Sequence, residues 1–253
     1  SGSVLIVDVG GTKTSVSLVG EDDEVLYSSS LPLGGDTFID LLVSHLVKDF
    51  YGTSSEEATA SESTTSLSTK LNLNDPTALQ RLYEASTTAI HELSNKTRSE
   101  INIPYLTMDL NTRQPKHLEV GMSRNVVYAE VEGWIRNKLV PHLQDENNNS
   151  GSSLSQSLPP PTNLATLISS IIMSCLESTS HTPSMLRVLL VGGGGRIPLV
   201  KSAVREGVGY LAGDAYVNGA GGGEAKRLII PEDGMGEELA VLGAAVWGSS
   251  KVD

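Results

Sequence analysis

Asp8 stands where an apolar run, Val4-Leu-Ile-Val7, gives way to Gly10 and Gly11, and a second run, Leu189-Leu-Val191, stops on Gly192-Gly-Gly-Gly195. A carboxylate at a strand end is placed to hold a metal-bound water. Consecutive glycines let backbone amides approach phosphate or a nucleotide ring with no side chain in the way. Buried parallel strands bring their backbone to ligands in this way, at the carboxyl edge of a sheet. Either loop alone would equally suit a plain tight turn, whereas two in one chain favour a nucleotide site.

These loops need a scaffold, and a chain of 253 residues is long enough to bury a full core in one or two domains. Its net charge of −12 argues against nucleic acid and anionic membrane surfaces as partners. No run approaches the roughly 20 apolar residues of a membrane span. Cys175 is the only cysteine, which excludes an internal disulfide and a multi-thiolate zinc site. The expected compartment is intracellular and reducing, either cytosol or an organelle matrix. His45, His91, His117, His142 and His181 show no metal-ligand spacing. Ser1-Gly-Ser3 opens onto a strand without an initiator Met, so a segment of a longer protein is expected.

Two stretches read as surface insertions, with phosphorylated regulatory segments as the alternative. Thr53 to Thr69 is dominated by Ser, Thr and Glu, with Leu67 its only large apolar residue. Asp145 to Thr162 runs through Asn147-Asn-Asn149 to Pro159-Pro-Pro161. Neither holds enough apolar surface to offset the entropy of ordering.

Periodicity places strands at Val4–Val7, Thr14–Val19 and Val25–Ser29, with Glu21-Asp-Asp-Glu24 as a hairpin tip. Helical spacing runs from Phe38 to Phe50, and again from about Thr77 to Leu93 behind Pro76. Ile101–Leu106 and His117–Met122 alternate as paired strands, and Ser123 is an N-cap for a helix through Val131, Trp134, Ile135 and Leu139. A helix over Leu164–Leu176, a strand over Arg187–Val191 and a helix over Glu238–Trp247 complete an α/β order. One mixed sheet is expected to carry the strands at Val4, Thr14 and Arg187, with Asp8 and Gly192–Gly195 opening on the same edge.

The order of Asp8-Val-Gly-Gly11, Leu33-Gly-Gly-Asp-Thr-Phe38, Leu93-Ser94, Ile101-Asn-Ile-Pro-Tyr-Leu106, Ser123-Arg124, Val191-Gly-Gly-Gly-Gly-Arg-Ile-Pro198 and Gly243-Ala-Ala-Val246 resembles the second half of the Hsp70 nucleotide-binding domain. The resemblance spans nearly the whole chain outside the two insertions and Val208–Arg227, and Glu100–His117 looks most like bacterial and organellar members. It implies an actin-like (ribonuclease H-like) α/β ATPase lobe, lobe II, with an inserted α+β outer subdomain. The base subdomain would be residues 1–32 and 124–253, with an insertion at about 145–162. The outer subdomain would be residues 33–123, with an insertion at about 53–69. The function implied is that of a stress-response chaperone in protein folding. ATP or ADP and Mg²⁺ would bind only with lobe I present. Partners would be lobe I and the substrate-binding domain of the same protein, a nucleotide exchange factor on the outer subdomain and a J-domain co-chaperone. Those flanking parts are expected because the chain stops soon after Val246, before any hydrophobic interdomain linker.

Position by position the resemblance is uneven. Asp8, Gly10 and Gly11 fall on the second phosphate loop, with Asp8 at the catalytic or Mg²⁺-water carboxylate. Where the family continues Gly-Thr-Phe-Asp, this chain has Thr12, Lys13, Thr14 and Ser15. Its phosphate-contacting Thr is therefore Lys13, and its second carboxylate is Ser15. Gly34, Gly35 and Asp36 match the loop beside ribose and phosphates. Of the helix residues that clasp adenosine only Ser94 remains, the others being Thr87, Ile90 and His91. Gly192, Gly193 and Arg196 match the adenine loop, Gly194 replaces a Ser, and Glu237 stands where an Asp is usual.

Each lost adenosine contact removes roughly a kcal/mol. Losing one of two metal-orienting carboxylates weakens the positioning on which phosphoryl transfer depends. Lys13 offsets phosphate charge only as a mobile point charge. A nucleotide-binding shape with impaired hydrolysis is expected, and little activity from this segment alone. The alternatives are a conventional Hsp70 ATPase with compensating contacts and a nucleotide-independent co-chaperone module. A more remote one is a sugar kinase of the ROK group, whose first phosphate loop Asp8–Lys13 resembles.

Overall fold

The structure, a computed structural model, describes residues 3–51, 76–108, 113–147, 154–155, 157–181, 187–212 and 228–229. The expected insertion at 53–69, the helix over Glu238–Trp247, the Gly243–Val246 motif and Glu237 lie outside the described residues. The chain divides into two compact units, Ser1–Asp36 with Glu132–Asp253, and Thr37–Val131.

The first unit is built on a mixed sheet of β1 (Val4–Val9), β2 (Thr14–Val19), β3 (Val25–Leu31), β6 (Arg187–Val191) and β7 (Leu228–Ile229), in the order β3-β2-β1-β6-β7. Strand β1 pairs antiparallel with β2 and parallel with β6. The period-2 pattern fixes which side is buried: Leu5, Val7 and Val9 lie opposite Leu18, Val16 and Thr14, all buried. The other face of the same pair carries Asp8 opposite Ser15. The expected mixed sheet is present, with three differences: β1 runs on through Asp8 to Val9, β3 runs on to Leu31, and β7 was not anticipated.

Helix α5 (Leu164–Thr179) lies against β2 and β3 and packs on α6 (Pro198–Ala212). It is buried on most sides through Leu164, Leu167, Ile168, Ile171, Ile172, Cys175 and Leu176. Burial pushes the Cys175 thiol up to about 11. Asn163 caps the helix: its Oδ1 accepts from the Thr166 N–H at 2.8 Å, while Thr166 Oγ1 accepts from the Asn163 N–H at 3.1 Å. Where α5 and α6 touch, a Cβ on Gly207 would stand 2.9 Å from the Ala165 carbonyl oxygen, so the close approach needs glycine.

The stretch expected as an insertion from Asp145 is only partly irregular. Helix α4 (Val140–Asn147) continues into it, and Leu154 and Ser155 are buried. The Ser155 N–H donates to Ser170 Oγ at 3.1 Å, and its hydroxyl donates to Glu177 Oε1 at 2.8 Å. Between α3 (Arg124–Trp134) and α4, residues Ile135–Leu139 form a π-helical turn in which the Val140 N–H donates to the Ile135 carbonyl. Pro141 gives the reason: its ring has no N–H and clashes with a regular helical carbonyl one turn back.

Half-buried Glu132 accepts from the Leu164 N–H at 2.9 Å. Burial raises its carboxyl above the usual range, with Glu206 adding to this and the Leu164 amide and Arg136 opposing it. With the folded value above the unfolded one, its stabilising contribution is full at low pH and is lost as pH climbs through the raised value. Glu132→Gln keeps an acceptor for Leu164 without the charge. It should reduce the loss of stability above pH 4.5 by a fraction of a kcal/mol, about what a half-exposed group can supply, and so flatten the fall in melting temperature. Melting curves of the two chains between pH 4 and 7 check this, and parallel curves would refute it.

The second unit holds most of α1 (Gly35–Tyr51), then α2 (Pro76–Asn95) and the hairpin of β4 (Arg98–Met108) and β5 (Pro115–Ser123), followed by most of α3. Its core gathers Phe38, Leu42, Leu46, Leu82, Ile90, Leu93, Ile101, Ile103, Leu118 and Val131. Both helices start one turn or less before the expected positions, and the expected strands pair. The register shifts between Ile103 and Thr107, where Tyr105 takes a φ of 52°. Arg81 holds this bulge through the Pro104 and Tyr105 carbonyls at 2.7 and 3.0 Å. Arg124 donates to the Leu93 and Lys96 carbonyls at 2.7 and 2.8 Å, closing the end of α2.

Candidate functional site: three glycine loops at one sheet edge

Strands β1 and β6 run parallel and end in register, Asp8 beside Val191, so the segments that follow leave the sheet at the same edge. The first forms a tight loop in which the Gly10 N–H donates to the Lys13 carbonyl at 3.0 Å. The second turns at Gly192, with φ of 87°, into a 3₁₀ turn over Gly193–Arg196. Its bonds are the Gly195 N–H to the Gly192 carbonyl and the Ile197 N–H to the Gly194 carbonyl, both 3.1 Å.

A third loop joins the first. The Gly35 N–H donates to the Gly10 carbonyl at 3.0 Å, and the Asp36 N–H donates to the Gly11 carbonyl at 2.7 Å. Buried Thr14 ties the same pair from below, its hydroxyl donating to the Leu33 carbonyl at 2.6 Å. The approach is so close that a Cβ on Gly34 would overlap the Gly11 carbonyl oxygen and stand 2.6 Å from its carbon. A Cβ on Gly192 would run into Asp8 Oδ1 and the Val9 carbonyl oxygen, and one on Gly194 would stand 2.6 Å from Val9 Cγ1. Glycine at 34, 192 and 194 is thus demanded by the packing of one loop on another.

The structure therefore brings together Asp8, Gly10, Gly11, Thr12, Lys13, Gly34, Gly35, Asp36, Gly192, Gly193, Gly194 and Arg196 within one unit. Gly11, Thr12, Lys13, Gly193 and Arg196 are its exposed rim, and Asp8 is also exposed. Ser94 belongs to the other unit, where its hydroxyl donates to the Ile90 carbonyl of its own helix at 3.0 Å. Thr87 likewise bonds back to Tyr83 at 2.8 Å, Ile90 is buried and His91 is exposed. Thr14 is the structural residue that motif reading passed over. The alternation Thr14, Val16, Leu18 marks it as inward-facing, and a buried hydroxyl needs a partner.

Backbone amides, small residues and two cations suit a phosphate-bearing ligand at this rim. The donor set for a divalent cation is thinner. Ser15 occupies the position opposite Asp8, and among the described residues no three His, Cys, Asp or Glu side chains come together as a metal site. Among the described residues no helix is long and apolar enough to cross a membrane.

An acidic strand end between glycine loops, on a sheet that mixes an antiparallel meander with parallel strands, can be compared with known families. The family model described as Hsp70 protein matches residues 1–144, more than half of the chain. The chain belongs to the Hsp70 family, and its α/β sheet is that of the family's actin-like ATPase, the nucleotide-binding domain of a chaperone.

Proposed function

We propose that this chain is lobe II of the nucleotide-binding domain of an Hsp70-like chaperone whose ATP hydrolysis is impaired. The observation that carries the reading is the register of β1 on β2, in which Asp8 faces Ser15 rather than a second carboxylate. Members of the family generally bind ATP or ADP with Mg²⁺ and work with a substrate-binding domain, J-domain proteins and nucleotide exchange factors. The residues of lobe II would meet the nucleotide from one side only, so binding would need lobe I. The proposed base and outer subdomains, 1–32 with 124–253 and 33–123, lie close to the two compact units of the chain. The single buried thiol suits a reducing compartment.

When bound, ATP would supply the scissile phosphate, and Mg²⁺ would polarise it for hydrolysis. The chain's own part is to hold a water and to fix the loops. Asp8 is the carboxylate placed to orient that water, while Gly10, Gly34 and Gly192 keep its strand end rigid. Ser15 accepts a hydrogen bond less strongly than a carboxylate and carries no charge.

The test is ATP turnover by the full-length protein. It should lie far below that of an Hsp70 with the usual loop, and an ordinary rate would overturn the reading. The Hsp70 match leaves the sugar-kinase alternative without support.

A further inference from the structure

We infer that this lobe takes the phosphates of its nucleotide with Lys13 as the neutralising charge, so that binding does not depend on a divalent cation. The inference rests on the reading of the site as a nucleotide site. A nucleoside di- or triphosphate brings several negative charges close together, and burying them requires compensation. A carboxylate beside phosphate repels it and helps only where a cation bridges the two. A fixed cationic side chain compensates directly, and a loop of glycine amides assists it.

The first loop has the features of the second arrangement: the position across from Asp8 is the uncharged Ser15, and the turn that leads into it carries the positive Lys13. The Gly10 N–H closes that turn on the Lys13 carbonyl at 3.0 Å, which fixes the lysine backbone while its side chain stays exposed. Lys13 forms no ion pair among the described residues. The charged side chains of the three loops are Asp8, Lys13, Asp36 and Arg196, two of each sign. Of the two acids, Asp36 lies beside Gly11, its Oδ2 3.3 Å from where a Cβ would be. Asp8 therefore has no carboxylate partner across the strand pair with which to orient a hydrated cation.

The experiment is isothermal titration of the full-length protein with ADP, in Mg²⁺ and again in EDTA. Removing the metal should change the dissociation constant less than about fivefold, below a single charge-assisted contact. Lys13→Met should weaken metal-free ADP binding about tenfold, the order of one such contact. Its melting temperature should stay unchanged, since the side chain is exposed. Ser15→Asp with Lys13→Thr should instead bind ADP about tenfold or more tightly with Mg²⁺ than without it. A fivefold or greater loss in EDTA for the unaltered protein, or no effect of Lys13→Met, overturns the inference and leaves the nucleotide site standing. No ADP binding in either buffer overturns both.

Discussion

Gly192→Val is expected to cost the chain roughly 3 kcal/mol or more and to lower its melting temperature by more than about 5 °C, the range for backbone strain combined with a core clash. Two independent penalties meet at this residue. Its φ of 87° is a region that β-branched side chains avoid. A Cβ there would run into Asp8 Oδ1 and the Val9 carbonyl oxygen and stand 2.7 Å from the Val9 carbon. Neither neighbour can retreat, because β1 is held on one side by β2 and on the other by β6. The same clash displaces Asp8, so nucleotide binding by the full-length protein should be lost with the stability. Gly35→Ala is the control. The nearest atom to its added Cβ is the Gly10 carbonyl oxygen at 3.8 Å, so that change should be near neutral. Thermal melts of the three chains decide it. If Gly192→Val melts with its parent, the three loops are not locked together as described.

Ser15→Asp combined with Lys13→Thr should raise ATP turnover by the full-length protein on the order of 10- to 100-fold, the usual worth of one correctly placed electrostatic group. Opposite residues of an antiparallel pair have Cβ atoms only about 5 Å apart, so a carboxylate at 15 would share the exposed face with Asp8. Two carboxylates on one face can orient the attacking water that Asp8 otherwise orients alone, and can recruit a cation to it. The restored pair carries a cost, since like charges directly opposite destabilise a sheet by a few tenths of a kcal/mol or more. The faster variant should therefore also be slightly less stable, a combination that non-specific improvement of the fold would not give. Asp8→Asn should abolish whatever turnover the unaltered protein has. Single-turnover hydrolysis measures all three, and a double variant no faster than its parent would show that the deficit lies elsewhere.

Much of this protein was legible from the order of its residues. Strands at Val4, Thr14 and Arg187 could be read because alternation and glycine endings are local properties, and they pair as that reading required. The helices behind Gly35 and Pro76 could be read because apolar residues recur at helical spacing. Other parts carried a signal that was overshadowed. Helix α6 begins at Pro198, a favoured first helical residue, and buries Val200, Ala203, Val204 and Val208 at helical spacing. The expected order of elements left that stretch unassigned. Pro141 likewise marked the π-helical turn that the expected single helix passed over.

What only the tertiary structure decided is of a different kind. Two-residue β7 is too short to carry any period, and it exists because β6 offers an edge to pair with. Leu154 and Ser155 are buried in a polar stretch because Ser170 and Glu177 on α5 supply the partners. Above all, residue types told that Asp8, Gly34 and Gly192 suit a phosphate site, but not that their loops touch. Gly34 and Gly192 stand 158 positions apart in the chain. Each packs on the first loop because two parallel strands and one antiparallel pair end at the same place, and spacing in sequence does not encode register in space.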